Sequence, residues 1–191
     1  QILDYGCGDG TFLALLLDAP DAPPSAVGAE LDPRLVEDCQ QRLGQRPGLK
    51  FIQMAELDDA EHTGKYDAII CMEVLEHVVP LDQVFAQFHR LLAPAGLLFI
   101  SVPVETGLPL LIKQTGRTIA GWRGLGDYPG TSPYTCGELF RSVFAGSGQH
   151  IPRPRHGQAD GFEFHDHKGF NWRVMRAKVA EQFELLKISA S

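Results

Sequence analysis

The sequence is short of cysteine and carries no excess of positive charge. Its 191 residues include four cysteines, Cys7, Cys39, Cys71 and Cys136, with no Cys-x-x-Cys pair. That scatter argues against a disulfide framework or a zinc knuckle and fits free thiols in a reducing cytoplasm. Seventeen Lys and Arg against 24 Asp and Glu leave a formal net charge of −7, whereas a protein built to grip phosphate backbones carries a basic stripe. Nucleic acid is therefore not an expected partner, although Arg141, Arg153, Arg155, Arg173 and Arg176 gather towards the C-terminal half. No apolar run approaches the length of a bilayer span, since Leu13 to Leu17 is cut off by Asp18. There is no secretory signal, repeat or low-complexity tract, so the expectation is a cytoplasmic chain with no membrane partner. Gln1 already lies within an expected strand and a further edge strand is expected beyond Ser191, so the natural chain is expected to extend past both ends.

What is present alternates in the manner of βαβ units, which predicts a mostly parallel sheet covered by helices, a Rossmann-like three-layer α/β domain. Strands are expected at 1–5, 26–30, 51–54, 66–71 and 97–102. Helices are expected at 11–17, after Asp32-Pro33, and from Leu81 to a Pro94-Ala95-Gly96 stop. Asp32 offers an acceptor at the N-cap, and Pro33 sits where a missing N–H costs nothing. Leu35, Cys39 and Leu43 are read as one buried helical face, and Phe85/Phe88 and Trp172/Met175/Val179 as core stripes. Residues 1–102 form the expected cofactor core. Residues 103–170, rich in Gly, Pro, aromatics and His, form an expected substrate lid, because long irregular insertions are usually binding elements. Within it Thr135 and Glu138 form a capping box. Residues 171–191 supply a last helix and a strand from Phe183 to Ser189. Trp122, Tyr128 and Tyr134 are expected to pack the lid down, and Arg153-Pro154-Arg155-His156 to be a solvated loop.

The strongest chemical signal is Asp4-Tyr5-Gly6-Cys7-Gly8-Asp9-Gly10 at the end of the first strand. Glycines there let the backbone approach a ligand where any Cβ would collide. A dinucleotide site wants G-x-G-x-x-G, but here the third glycine comes one residue early and Thr11 stands in its place. Asp9 would also set a carboxylate beside a pyrophosphate. A phosphate-free ligand bearing a sulfonium and an ammonium suits this turn better.

Asp4-x-Gly6-x-Gly8-x-Gly10 resembles motif I of the class I S-adenosylmethionine-dependent methyltransferases. The resemblance implies that Asp4 and the backbone of Gly6, Cys7, Gly8 and Gly10 hold the methionine end of the cofactor. It implies that Glu30, ending the second strand with Leu31 after it, takes both ribose hydroxyls, as a two-oxygen acceptor can. The family places an Asp after the third strand; this chain has Met54-Ala55-Glu56, leaving Glu56 as a candidate for the adenine contact and Met54 as its apolar wall. Tyr66 to Glu73 is similar to motif IV, which implies that backbone near Met72 lies along the cofactor. The likeness covers residues 1 to about 102, and says little about the acceptor.

Glu73, Glu76 and His77 stand at i, i+3 and i+4, which on a helix would put them on one face. With His167 downstream they resemble the metal-dependent methylases of small-RNA 3′ ends, which implies Mg²⁺ or Mn²⁺ on Glu73, Glu76, His77 and His167. The acidic balance, the extra Gly169 and the use of the same Glu-x-x-Glu-His in metal-free small-molecule enzymes weigh the other way. Without metal, His77 or His167 is the candidate general base. The expectation is an enzyme moving a methyl group from S-adenosylmethionine to an O, N or C atom of a small or medium metabolite, leaving S-adenosylhomocysteine. The alternatives are a non-catalytic cofactor-binding partner and a metal-dependent RNA 2′-O-methyltransferase. Oligomeric state is left open.

Overall fold

The computed structural model describes residues 1–122, 132–148, 151–157 and 163–189. The chain divides into two compact units, Gln1–Leu75 with Pro80–Ser101, and Glu76–Val79 with Val102–Ser191.

The first unit is a five-stranded parallel sheet in the order β3-β2-β1-β4-β5. Its strands are β1 (Ile2–Tyr5), β2 (Ala26–Glu30), β3 (Leu49–Gln53), β4 (Tyr66–Met72) and β5 (Leu92–Ser101). The helices are α1 (Thr11–Leu17), α2 (Pro33–Leu43) and α3 (Leu81–Leu91), with a 3-10 turn at Met54–Asp58. β1 sits in the middle; the chain builds outwards through β2 and β3, then returns to lay β4 and β5 on the other side. This reversal between β1 and β4 leaves a crevice at the strands' carboxyl ends, where ligands bind in sheets of this type.

Helices cover both faces. On one, Cys7, Leu13, Ala26, Val36, Cys39, Leu49 and Phe51 form a buried cluster with Phe12, Leu16, Leu17 and Leu43 packed against it. On the other, Val84, Phe85, Phe88 and Leu91 of α3 are buried, and Phe88 meets Tyr5 edge-to-face with ring centroids 4.9 Å apart. Asp32 caps α2 as expected, accepting from Arg34 N–H at 2.9 Å. The buried stripe of α2 is Val36 and Cys39, not Leu35, which is exposed. Cys39 and Leu43 keep the expected face, and Val36 takes the place expected of Leu35 in the cluster with Leu49 and Phe51.

The second unit holds α4 (Leu108–Trp122), α5 (Cys136–Val143), an antiparallel hairpin of β6 (Arg155–Gly157) and β7 (Glu163–His165), and α6 (Trp172–Gln182). The Thr135/Glu138 capping box opens α5, and Asn171 caps α6 through Arg173 N–H. Met175 and Val179 are buried as expected, while Trp172 is half-buried. Helix α4 and the hairpin were not anticipated. Residues 183–189 form no strand; Leu185, Leu186 and Ile188 are exposed, since a strand needs a partner edge to satisfy its backbone. Tyr134 does pack this unit down, its hydroxyl accepting from Gly169 N–H at 2.9 Å. Tyr128 and the side chain of Trp122 lie outside the described residues. No helix among the described residues is long and apolar enough to cross a membrane.

Replacing Phe88 by Ala removes a fully buried ring and its contact with Tyr5. We expect urea denaturation to show a loss of about 3–5 kcal/mol with an unchanged denaturant slope.

Candidate active site

At the carboxyl end of β1 the chain turns through Gly6, Gly8 and Gly10, all at positive φ. A Cβ on Gly6 would lie 2.4 Å from Val74 Cγ2, so only glycine lets the turn pass beneath the segment that follows β4. At Gly8 a Cβ would meet no protein atom within 4 Å. The backbone there faces open space, as a ligand cradle requires. Cys7 is different: its side chain belongs to the buried cluster, so it offers a ligand only backbone.

Two carboxylates flank this turn. Asp4 is 2% exposed, and burial, together with the charge of Glu30, pushes its pKa up to about 7. Glu30, on the neighbouring strand, accepts from Gly8 N–H at 2.9 Å through Oε2 and from Leu31 N–H at 2.7 Å through Oε1, with Asp32 N–H at 3.3 Å. These bonds fix Glu30 under the turn and leave lone-pair capacity, chiefly on Oε2, for a hydroxyl. Beyond it Leu31 is 49% exposed, an apolar surface at the end of β2. Met72, half-buried, ends β4 beside Ser101.

Glu56 is an exposed residue whose Oε1 accepts from Gln53 N–H at 2.8 Å, closing a capping box on its own 3-10 turn. One of its oxygens is thus committed to local structure.

A family model described as a methyltransferase domain matches residues 1–148. The chain belongs to that family. The domain is 36% identical over 119 residues to a ubiquinone biosynthesis O-methyltransferase of Xanthomonas oryzae, covering 61% of this chain and 48% of the relative. It is 35% identical over 133 residues to an uncharacterized protein of Synechococcus, covering 67% of this chain and 31% of the relative. Among solved structures, a protein of Pyrococcus horikoshii matches with a TM-score of 0.47 at 24% identity, covering 61% of this chain and 53% of that one. The domain therefore spans between about a third and half the length of these curated relatives. It is a class I S-adenosylmethionine-dependent methyltransferase domain with the Rossmann-like sheet of that class.

The turn fits that cofactor. It combines an open backbone at Gly8, a buried carboxylate wanting a cation, and a second carboxylate able to accept hydroxyls. The same two carboxylates would repel a pyrophosphate.

The expected helix through Glu73, Glu76 and His77 does not form; residues 73–79 are turn and bridge. Glu73 adopts φ 55° and is held by Ser101, accepting from its hydroxyl at 2.9 Å and donating its N–H to the carbonyl at 3.1 Å. A left-handed Glu is incompatible with continuing a helix. In the second unit Glu76, His77 and His167 do converge, one ligand atom of each lying within 4.8 Å of the others. The set brought together is thus smaller than the expected one, and Glu73 is not a member of it.

His77 rides on the hairpin. Its Nδ1 lies 2.8 Å from His165 O, its carbonyl accepts from His165 N–H at 3.0 Å, and Val78 bridges Phe164. A carbonyl only accepts, so Nδ1 carries the proton and Nε2 of neutral His77 keeps its lone pair. That nitrogen lies 3.9 Å from Oε1 of Glu76, whose side chain is fully buried. Arg153, expected in a solvated loop, is half-buried instead: its guanidinium donates to Glu76 O and to Asp166 O and lies 5.1 Å from the centre of the Phe170 ring. Burial pulls its pKa down to about 10 against the pull of Asp166, Glu76 and Tyr134. Neither the hairpin nor this burial leaves a local sequence signal. Arg155, by contrast, is exposed as expected.

Asp4 has a folded pKa raised above its unfolded value, so its contribution to stability is complete below about pH 4 and is lost as pH rises through about 7. In the ligand-free domain, stability is expected to fall by a few kcal/mol across that window. Asp4→Asn should remove the slope in thermal melts taken from pH 4 to 8; an identical slope in the variant would contradict the assignment.

Proposed function

We propose that the domain methylates an O, N or C atom of a small or medium metabolite, with S-adenosylmethionine as donor and S-adenosylhomocysteine as product. The observation that carries this reading is the buried Asp4 beside Glu30 beneath the open glycine turn. Asp4, losing its proton, faces the ligand's ammonium; the backbone of Gly6, Cys7, Gly8 and Gly10 wraps the methionine end. Glu30 would accept the ribose hydroxyls, chiefly through Oε2, which holds only the bond from Gly8 N–H. Leu31 would flank the adenine, the backbone near Met72 would lie along the cofactor, and Glu56 would offer its second oxygen to the adenine.

When bound, the cofactor supplies an already activated methyl carbon, so the protein's share is to orient the acceptor and take its proton. His77, with Nδ1 turned to the His165 carbonyl and Nε2 left facing the cluster, is the candidate base, and His167 its neighbour, with ring centroids 4.8 Å apart. Residues 103–170 supply the acceptor-side surface. Relatives named as ubiquinone biosynthesis O-methyltransferases favour an oxygen acceptor. The −7 charge favours a metabolite over RNA, and a cytoplasmic location follows for an enzyme of metabolites with free thiols.

The convergence of Glu76, His77 and His167 supports a second reading, a divalent cation on these three groups that would orient the acceptor's oxygens. Ligands at neighbouring positions around an ion with bonds near 2.1 Å are about 3 Å apart, so the cluster would tighten on loading.

Transfer of label from methyl-labelled S-adenosylmethionine into a metabolite extract tests the main reading. Tight cofactor binding with no transfer to any acceptor would indicate a binding partner instead. Calorimetry should show Glu30→Ala weakening S-adenosylhomocysteine at least tenfold, and affinity for the native domain falling roughly tenfold per unit as pH drops below about 7, because Asp4 must shed its proton. His77→Gln should lower kcat by about 10²–10⁴ while leaving that affinity intact. Activity untouched by chelator, with no Mn²⁺ bound, ends the second reading.

A further inference from the structure

We propose that Glu73 contacts the methyl acceptor: its carboxylate, pinned by Ser101 at the carboxyl end of β4, accepts a hydrogen bond from an O–H or N–H group of that molecule. The proposal rests on the methyltransferase reading and deepens it by naming a group that receives the acceptor and the chemistry it selects.

Among the described residues, Glu73 at 55° and Ala95 at 62° take a positive φ without being glycine. Ala95 lies in the bulge that separates the Tyr66–Leu92 and Ala68–Leu97 pairs of β4 and β5, which accounts for it. Glu73 is the first residue after β4. The neighbouring turn meets the same backbone demand with Gly6, Gly8 and Gly10, whereas here a Cβ is accepted at a steric cost. Strain of this kind persists where surrounding contacts over-determine it, and it gathers at functional sites. The contacts come from Ser101, the last residue of β5: its carbonyl accepts from Glu73 N–H at 3.1 Å, and its hydroxyl donates to Glu73 Oε1 at 2.9 Å. One residue thus holds Glu73 by backbone and side chain. The side chain is exposed, and its Oε2 meets no donor among the described residues.

The strand order sets Glu73 next to the methionine end of the cofactor. In the reading above, adenine lies past β3, ribose at the end of β2 and the methionine end on the turn after β1, so the next strand in the sheet is β4. Asp4 pairs with Ile70, and Met72 stands two residues beyond Ile70, as Gly6 does beyond Asp4. Glu73 therefore leaves the sheet level with the glycine turn. Val74, the residue after it, lies so close over Gly6 that a Cβ there would sit 2.4 Å from its Cγ2. A carboxylate oxygen accepts hydrogen bonds and donates none. The acceptor it holds carries a hydroxyl or amine donor, and a fixed bond to that group orients the atom to be methylated, which is the protein's main task in this reaction.

Three measurements on native and variant domains test this: the initial rate of label transfer from S-adenosylmethionine into a metabolite extract, S-adenosylhomocysteine affinity by calorimetry, and thermal melts. Glu73→Gln keeps an oxygen for the Ser101 hydroxyl and replaces the other by an N–H donor. Transfer should fall at least tenfold, with affinity within twofold of native. Glu73→Gly suits the left-handed backbone, so its unfolding midpoint should equal or exceed the native one while transfer falls at least tenfold; this guards against a variant that fails to fold. Ser101→Ala frees the carboxylate and should lower transfer by less. Folded Glu73→Gln and Glu73→Gly domains with native transfer overturn the proposal. Loss of S-adenosylhomocysteine binding in step with loss of transfer also overturns it, since the residue would then serve the cofactor. A native domain that labels no acceptor removes the methyltransferase reading and this role together, an outcome distinct from an active native domain matched by its variants.

Discussion

A carboxylate buried beneath an open stretch of backbone is the constraint around which the first unit is arranged. Asp4 is the penultimate residue of the central strand, buried and pressed by the charge of Glu30. Left alone it costs stability when ionised, because burial penalises the charged form. The parallel order β3-β2-β1-β4-β5 puts β1 and β2 side by side and so sets Asp4 and Glu30 on neighbouring strand ends. The glycines between them are then required in two senses, one to pass Val74 and one to stay open.

The second unit solves a different problem, how to hold polar and ionisable groups close together away from water. It does so with short ties between distant segments: a hairpin that recruits His77 as a partial third strand, an aspartate hub at 166, and a guanidinium between two carbonyls. Buried polar groups survive only when hydrogen-bonded, and charges only when balanced. Asp166 follows that rule, its carboxylate accepting from Ser132 and Lys168. The result is an imidazole whose Nδ1 is held 2.8 Å from the His165 carbonyl.

The contrast between the two units shows where sequence reasoning succeeds. β1, β2, α1, the Asp32 cap and the Thr135 box were legible because each is set by neighbours within a few residues: glycine spacing, an oxygen before a proline, a Thr three residues ahead of a Glu. The departures all involve distant partners. Glu73, Glu76 and His77 have helical spacing, yet Ser101 captures Glu73 in a left-handed conformation. Phe183 to Ser189 has strand composition but pairs with no described strand. Leu35 has the right period yet is exposed, and Val36 stands in the buried cluster with Leu49 and Phe51 instead.

The order of residues alone determined the class of fold and the chemistry of the cofactor turn, since both are written in local spacing of glycines, acids and apolar runs. Only the tertiary structure decided that Asp4 is buried enough to titrate near neutrality, that Glu56 is partly spent on its own turn, and that Glu76, His77 and His167 converge without Glu73. Desolvation and convergence are properties of which segments meet in space, and no spacing along a chain specifies them.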